Sequence, residues 1–388
     1  MAVPITVTTT DVAHGGWCVA RHEGVVVFVS GALPGEVLNV EVTGKRTNLW
    51  YARTCSVIEA SPDRVPHVWP LAEATGIGAV DLGHVALDAQ RRWKQRVIES
   101  QMMRIAHLPC EVTVEGAPID EINHGLAWRT RVNLKLDSQG RLGMNAAKSH
   151  EIIPIDSMPI AHEEIQEAIA ATGKRTHSTG VTYVRASESG LTILSGHRHS
   201  PRLKERVETS FGTWVYEVAA LGFWQVHREA PQILVLAVIE AVGDTDAPVI
   251  DLYSGAGLFS LPLADHLGVS VTSVESSRIA VDSLRSNARG HTVTPVLADA
   301  VEYLSTASPG SAAVIVCDPP RSGAGRAAVQ QMSRLAPTRI VYVACDPAAL
   351  ARDIGLLNQV GYQMTKLRGF DLFPMTHHVE CVAVLERI

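Results

Sequence analysis

Short apolar runs rich in β-branched residues lie near the start of the chain. The runs Gly24-Val25-Val26-Val27-Phe28-Val29 and Val37-Leu38-Asn39-Val40-Glu41-Val42 are separated by the turn signal Leu33-Pro34-Gly35-Glu36. Short β-rich runs between turn formers predict strands, and residues 1–59 are expected to form a small OB-like β-barrel. The proline-rich stretch Pro62 to Pro70 marks a boundary. Beyond it, Val97, Met102 and Ile105 recur at helical spacing, so a helix is predicted over residues 88–108. Arg91, Arg92, Lys94 and Arg96 cluster near its start, most simply as a solvated face, with phosphate contact as the other reading. From residue 127 to about 196 short strands return (Arg131 to Leu136, Leu191 to Leu194) around a helix near residues 162–172. Residues 60–215 are therefore read as a mixed α+β central domain. From Pro248 onward strand, tight turn and helix repeat, the rhythm of a parallel sheet wrapped by helices, and residues 216–388 form the third unit.

The third unit carries the candidate chemistry. Val249-Ile250-Asp251-Leu252-Tyr253 runs into Ser254-Gly255-Ala256-Gly257-Leu258, with a helix expected over 259–266. Gly255 and Gly257 would let backbone approach a ligand at the carboxyl end of the first strand, where open α/β sheets bind nucleotides. A bare G-x-G is weak, but a second strand, Val271 to Glu275, ends in an acid placed to hold ribose hydroxyls, and Asp299 follows a third, within reach of an adenine amine. A fourth, Ala313 to Cys317, enters Asp318-Pro319-Pro320-Arg321. Taken singly, Glu275 reads as an exposed strand-end acid and Asp318 as a turn former; in series, the bland reading fails.

Two further motifs suggest covalent catalysis. Tyr342-Val343-Ala344-Cys345-Asp346-Pro347 and His378-Val379-Glu380-Cys381-Val382 offer a thiolate nucleophile and a separate carboxylate base. A single cysteine after an apolar strand is commonly a small buried hydrophobe, which is the reading for Cys317 and Cys381. Asp346-Pro347 ends the strand behind Cys345 and keeps that thiol in a loop. Zinc on His377, His378 and Glu380 is not expected, because adjacent residues of an extended chain point to opposite faces.

A formal charge of -6 argues against a generally basic nucleic-acid surface, so any RNA site is a local patch. Lys45, Arg46, Asn48, Trp50, Tyr51 and Arg53 are one such patch, with a solvated edge strand as an equal alternative. The six cysteines include no C-x-x-C pair, which fits a reducing compartment. No secretion signal or membrane-spanning apolar run is present, and a cytoplasmic protein free of membrane is expected.

Together, Phe223-Trp224-Gln225-Val226, Asp251 to Gly257, Asp318 to Arg321, Val343 to Pro347 and Phe373 to Glu380 resemble the RNA uridine-C5 methyltransferase family, whose members make 5-methyluridine in ribosomal or transfer RNA. The resemblance implies a Rossmann-like domain with a mostly parallel seven-stranded sheet, a TRAM barrel at the N-terminus, and S-adenosylmethionine as cofactor. It implies Cys345 as nucleophile toward uracil C6 and Glu380 as the base that removes the C5 proton. It places Gln225, Tyr253, Gly255, Gly257, Glu275, Asp299 and Asp318 around the cofactor and Phe223 beside the target base, which must be flipped out or lie in a loop. It favours 23S ribosomal RNA over the transfer-RNA T-loop, since the barrel usually accompanies ribosomal enzymes, with the protein acting as a monomer. The other readings are a cytosine-C5 enzyme and, from a different class, a non-catalytic RNA-binding or chaperone protein. Three departures stand out. Where many members hold an iron-sulfur cluster on four cysteines, this chain has His67 to Gly78 and Met158, and no cluster is expected. Leu258 replaces a polar cofactor contact, and His227 replaces an asparagine.

Overall fold

The computed structural model describes residues 4–146, 149–171, 180–196 and 200–388. Strands β1 (Ile5–Ala13), β2 (Trp17–His22), β3 (Val25–Ser30), β4 (Val37–Arg46) and β5 (Leu49–Glu59) close into a barrel in the order β1-β2-β3-β5-β4. Alternate residues such as Cys18, Ala20, Val27, Val29, Leu38 and Val40 fill it, as the two-residue period of a strand requires. That core continues through Leu82 and Val85 onto Ala89, Trp93 and Val97. These last three belong to α2 (Leu87–Gln101), which follows the short α1 (Pro70–Thr75).

The helix expected to reach residue 108 is α only as far as Gln101 and ends in a π-turn, Met102–Ala106. The wider turn keeps Met102 buried beside Ile98, leaves Ile105 exposed, and closes on His107 at φ 57°. The basic run on α2 divides: Arg92 and Arg96 stay on a solvated face, where they form exposed ion pairs, while Arg91 and Lys94 turn inward. Arg92 pairs with Asp63 at 2.9 Å, Arg96 with Asp11 at 2.8 Å and Arg91 with Glu121 at 2.5 Å. Lys94 is wholly buried, paired with Asp371 and donating to the Phe373 carbonyl at 3.1 Å.

Then come β6 (Val114–Gly116), α3 (Pro118–Asn123), β7 (Arg131–Leu136), β8 (Leu142–Asn145), β9 (Ile152–Pro154), α4 (Glu163–Ala171), β10 (Gly180–Ala186) and β11 (Gly190–Ser195). Thr172, expected to end α4, lies outside the described residues. The sheet β11-β10-β7-β8-β9 packs Val132, Leu134 and Tyr183 against Trp128, Met158 and Ile165. A hairpin, β12 (Arg202–Thr209) and β13 (Gly212–Ala219), leads into the last sheet.

That sheet is built from α5 (Ala230–Val242), β14 (Val249–Leu252), α6 (Ser260–Leu267), β15 (Val271–Glu275), α7 (Arg278–Asn287), β16 (Val293–Leu297), α8 (Ala300–Thr306), β17 (Val314–Cys317), α9 (Gly325–Leu335), β18 (Arg339–Ala344), α10 (Pro347–Gln359), β19 (Tyr362–Asp371) and β20 (Glu380–Arg387). Its order is β16-β15-β14-β17-β18-β20-β19-β6, eight strands rather than the expected seven. The extra strand is β6, three residues from far upstream, joined in parallel to the end of β19. β14 and β17 are buried at every position, the continuous apolar run of a parallel strand covered on both faces. β20 runs antiparallel between β18 and β19.

Candidate functional site

Strand register gathers the site. β14 pairs in parallel with β15 at Leu252 and Val274, and with β17 at Leu252 and Cys317. The next residue of each strand therefore emerges at one carboxyl edge: Tyr253, Glu275 and Asp318. Antiparallel β20 begins at that same edge, where Ala344 stands opposite Cys381. Cys345 is the first residue past β18 and Glu380 the first of β20, so both fall at this edge. A cavity of about 1180 Å³ opens there, lined by Phe223, Gln225, Tyr253, Gly255, Glu275, Asp299, Asp318, Cys345 and Glu380. Nine of the ten residues singled out in the sequence thus meet in one space.

The tenth, Gly257, does not line it. At φ 95°, its position would bring a β-carbon within 2.7 Å of Leu284 Cδ1 and 2.9 Å of Leu261 Cδ1. A glycine is required there by the packing of the loop on α6 and α7. Leu258 is likewise buried, its carbonyl accepting from the Tyr216 hydroxyl at 3.0 Å. Gly255 does face the cavity; its amide donates to Glu275 Oε2 at 3.0 Å, and Ser277 N donates to Oε1 at 2.6 Å. Tyr253 holds the turn at φ 61°. Asp299 caps α8, accepting from Val301 and Glu302 amides through Oδ1. Gln225 is nearly buried, while Phe223 is 69% exposed at the rim.

The electrostatics are those of a crowded acidic pocket. Burial, then the Glu380 and Asp318 carboxylates, push the Cys345 thiol up to about 12, with Arg321 opposing. Burial, then Glu275, raises Asp318; burial, then Asp318, raises Glu380. Arg321, which lines the cavity with Arg129, favours both the thiolate and the Glu380 carboxylate. Burial, then His377 and Arg321, lowers His378 to about 3, so its Nε2 is free to accept from Arg321 at 3.5 Å.

His377 and His378 do not point apart as an extended chain would have them. The segment turns at Met375, φ 66°, and the two rings lie 4.2 Å apart. His377 is committed to Asp81 at 2.7 Å. Among the described residues no group of three His, Cys, Asp or Glu side chains is arranged to hold a metal. Met158 sits in the apolar core with Trp69, Ala72, Ile77 and Val80, so this place supplies no thiolates and does not fit an iron-sulfur cluster.

His227 is buried, its Nε2 3.1 Å from Asp120 and its Nδ1 accepting from Glu229 N at 3.1 Å. It therefore supports the Gln225 loop from behind. Sequence reasoning missed Arg129, Asp81 and the wall supplied by Asn133, Met144 and Asn145, all lining the cavity. No local pattern marks them, because they reach the site only through the packing of one sheet against another.

Family models match this chain over residues 309–388 as a tRNA (uracil-5-)-methyltransferase, over 3–53 as a TRAM domain and over 229–341 as a methyltransferase small domain. The chain is 37% identical to an uncharacterized RNA methyltransferase of Bifidobacterium longum, across 97% of this chain and 95% of that one. It is 38% identical to another from Streptomyces coelicolor, across 97% and 91%. Among solved structures, the Pyrococcus abyssi tRNA (uracil-54, C5)-methyltransferase in complex with S-adenosyl-L-homocysteine matches with a TM-score of 0.76, covering 98% of this chain and 100% of that one at 20% identity. At that identity the likeness is one of fold.

Proposed function

Because the chain belongs to the RNA methyltransferase family, carrying a TRAM domain and a tRNA (uracil-5-)-methyltransferase domain, we propose that it methylates C5 of a uridine in structured RNA through a covalent Cys345 adduct. The observation that carries this reading is that Cys345, Glu380 and Asp318 line one cavity at the edge where β18 ends and β20 begins.

The cavity suits a nucleoside cofactor. Glu275 would hold ribose hydroxyls and Asp299, through the oxygen not used in capping, the adenine amine. Space is open above Gly255, where nothing lies within 4 Å of an added β-carbon. Tyr253, Gln225 and Asp318 complete the lining. S-adenosylmethionine bound there supplies the methyl group.

The protein's own residues do the rest. The Cys345 thiolate adds to C6 of the uracil, and the C5=C6 electron pair moves onto C5 and the C4 carbonyl oxygen, making C5 nucleophilic. After C5 is methylated, the Glu380 carboxylate takes the C5 proton, the C5=C6 bond re-forms and the thiolate leaves. Arg321 favours the thiolate at the first step and the ionised base at the last. Exposed Phe223 offers a ring for stacking on a flipped base.

The barrel favours 23S ribosomal RNA as substrate. The full-length fold match to a transfer-RNA enzyme supports the T-loop uridine as the second reading. Methyl transfer from labelled S-adenosylmethionine to unmodified ribosomal and transfer RNA transcripts, with nucleoside analysis, separates them. Labelled 5-methyluridine in one RNA, absent with Cys345→Ala, is the expected result. Label on cytosine, or transfer that survives the substitution, overturns the proposal.

A further inference from the structure

The barrel touches the nucleophile loop through the turn between β1 and β2. Between β1 and β2, His14 Nε2 lies 3.2 Å from Asp346 Oδ2, and Asp346 is the residue next to Cys345. The two oxygens of that carboxylate are divided: Oδ1 accepts from Ala349 N at 2.8 Å and caps α10, leaving Oδ2 for the barrel. Burial tends to raise Asp346, yet the bonds from His14 and the Ala349 amide outweigh it and hold the carboxyl below its ordinary range.

The same turn reaches the base. The His14 ring stands edge-on to His377 at 6.4 Å, and His377 is held by Asp81 through its backbone N at 3.1 Å and its Nδ1 at 2.7 Å. Gly16, at φ +78°, is pressed against this pair: an added β-carbon would lie 2.5 Å from Asp81 Oδ2 and 3.4 Å from His377 Cβ. One barrel turn thus abuts both the Cys345 loop and the segment leading into Glu380.

We propose that His14 is a positioning residue for the reaction: its hydrogen bond to Asp346 fixes the Cys345 loop against the barrel, so that the thiol meets a base whose RNA the barrel holds. This rests on Cys345 being the nucleophile. Replacing the bond by water frees the loop's outer anchor and, because both bonds fall on one carboxylate, loosens the Ala349 cap of α10. The loss falls on the covalent step, not on RNA binding.

The test uses the full chain with the RNA transcript that accepts methyl, carrying 5-fluorouridine. Fluorine cannot leave C5 as a proton does, so the methylated adduct persists on a denaturing gel. At saturating RNA, His14→Ala and His14→Phe should form adduct about 10- to 100-fold more slowly, the scale of an ~1 Å misplacement, with unchanged RNA affinity. His14→Gln, whose amide can donate to Asp346, should recover the rate. Hydrogen exchange at the Ala349 amide, which needs no RNA, should quicken in the Ala and Phe variants only. Rescue by Phe but not Gln, a loss confined to RNA affinity, or rates and exchange unchanged in all three variants would each overturn the proposal. A wild-type protein that traps no adduct fails the function itself, and this inference with it.

Discussion

Asp251→Asn tests the electrostatics beneath the site with a number. Asp251 lies wholly buried in β14, accepting from the Ser260 hydroxyl at 2.5 Å through Oδ2, while Oδ1 has no partner among the described residues. Burial, reinforced by Asp318 and Glu275 and opposed by Ser260, raises its pKa from 3.8 to about 7. The folded protein therefore binds this proton more tightly than the unfolded chain. The resulting stability is fully present below about pH 4 and is lost as pH rises through 7. At pH 8 the charge costs about 4 kcal/mol. Asparagine removes that cost but places an amide N–H where no acceptor waits, a penalty of about 1–3 kcal/mol. The net sign at any one pH is thus a contest between two similar terms. The penalty is the same at every pH, so the difference between conditions isolates the charge. From pH 5 to pH 8 the variant should gain about 2.5 kcal/mol relative to the wild type. Urea unfolding of both proteins at the two pH values measures it. A difference that stays flat with pH refutes the reasoning, because Asp251 then holds no proton.

Glu380→Gln should still add Cys345 to the base and accept methyl, but leave the C5 proton in place. A protein–RNA adduct stable on a denaturing gel is expected in place of turnover. Lys94→Ala leaves buried Asp371 with only Arg91, 4.0 Å away, as counter-charge, which should cost about 3–5 kcal/mol in urea unfolding. It should also slow transfer, since Lys94 anchors the Phe373 carbonyl in the segment running to Glu380.

The sequence shows the chemistry more clearly than the architecture that supports it. Tyr253, Glu275 and Asp318 were legible because parallel strands of similar length expose their next residue at one edge, and turn formers mark where each strand stops. Gly255 and Gly257 look alike as letters, and only the closeness of Leu284 shows that one serves packing. The solvated reading holds for Arg92 and Arg96 and fails for Arg91 and Lys94, because their partners Glu121 and Asp371 are remote along the chain. β6 escaped notice for a different reason: three residues are too few to display a period. The two histidines were misplaced by assuming an extended backbone that Met375 interrupts.

β6 also sets the order in which this protein can be completed. The strand is made early in synthesis, yet the Gly369-to-Asp371 edge it joins comes some 250 residues later, after every other strand of that sheet but β20. Until then Val114 has no sheet to join, and Lys94 has no Asp371 to neutralise it. A contact of such span is slow to form. A C-terminal fragment beginning after the β12–β13 hairpin would present an open β19 edge and, without Lys94 and Arg91, an unpaired Asp371. The N-terminal half is therefore a folding partner of the catalytic sheet as well as its neighbour.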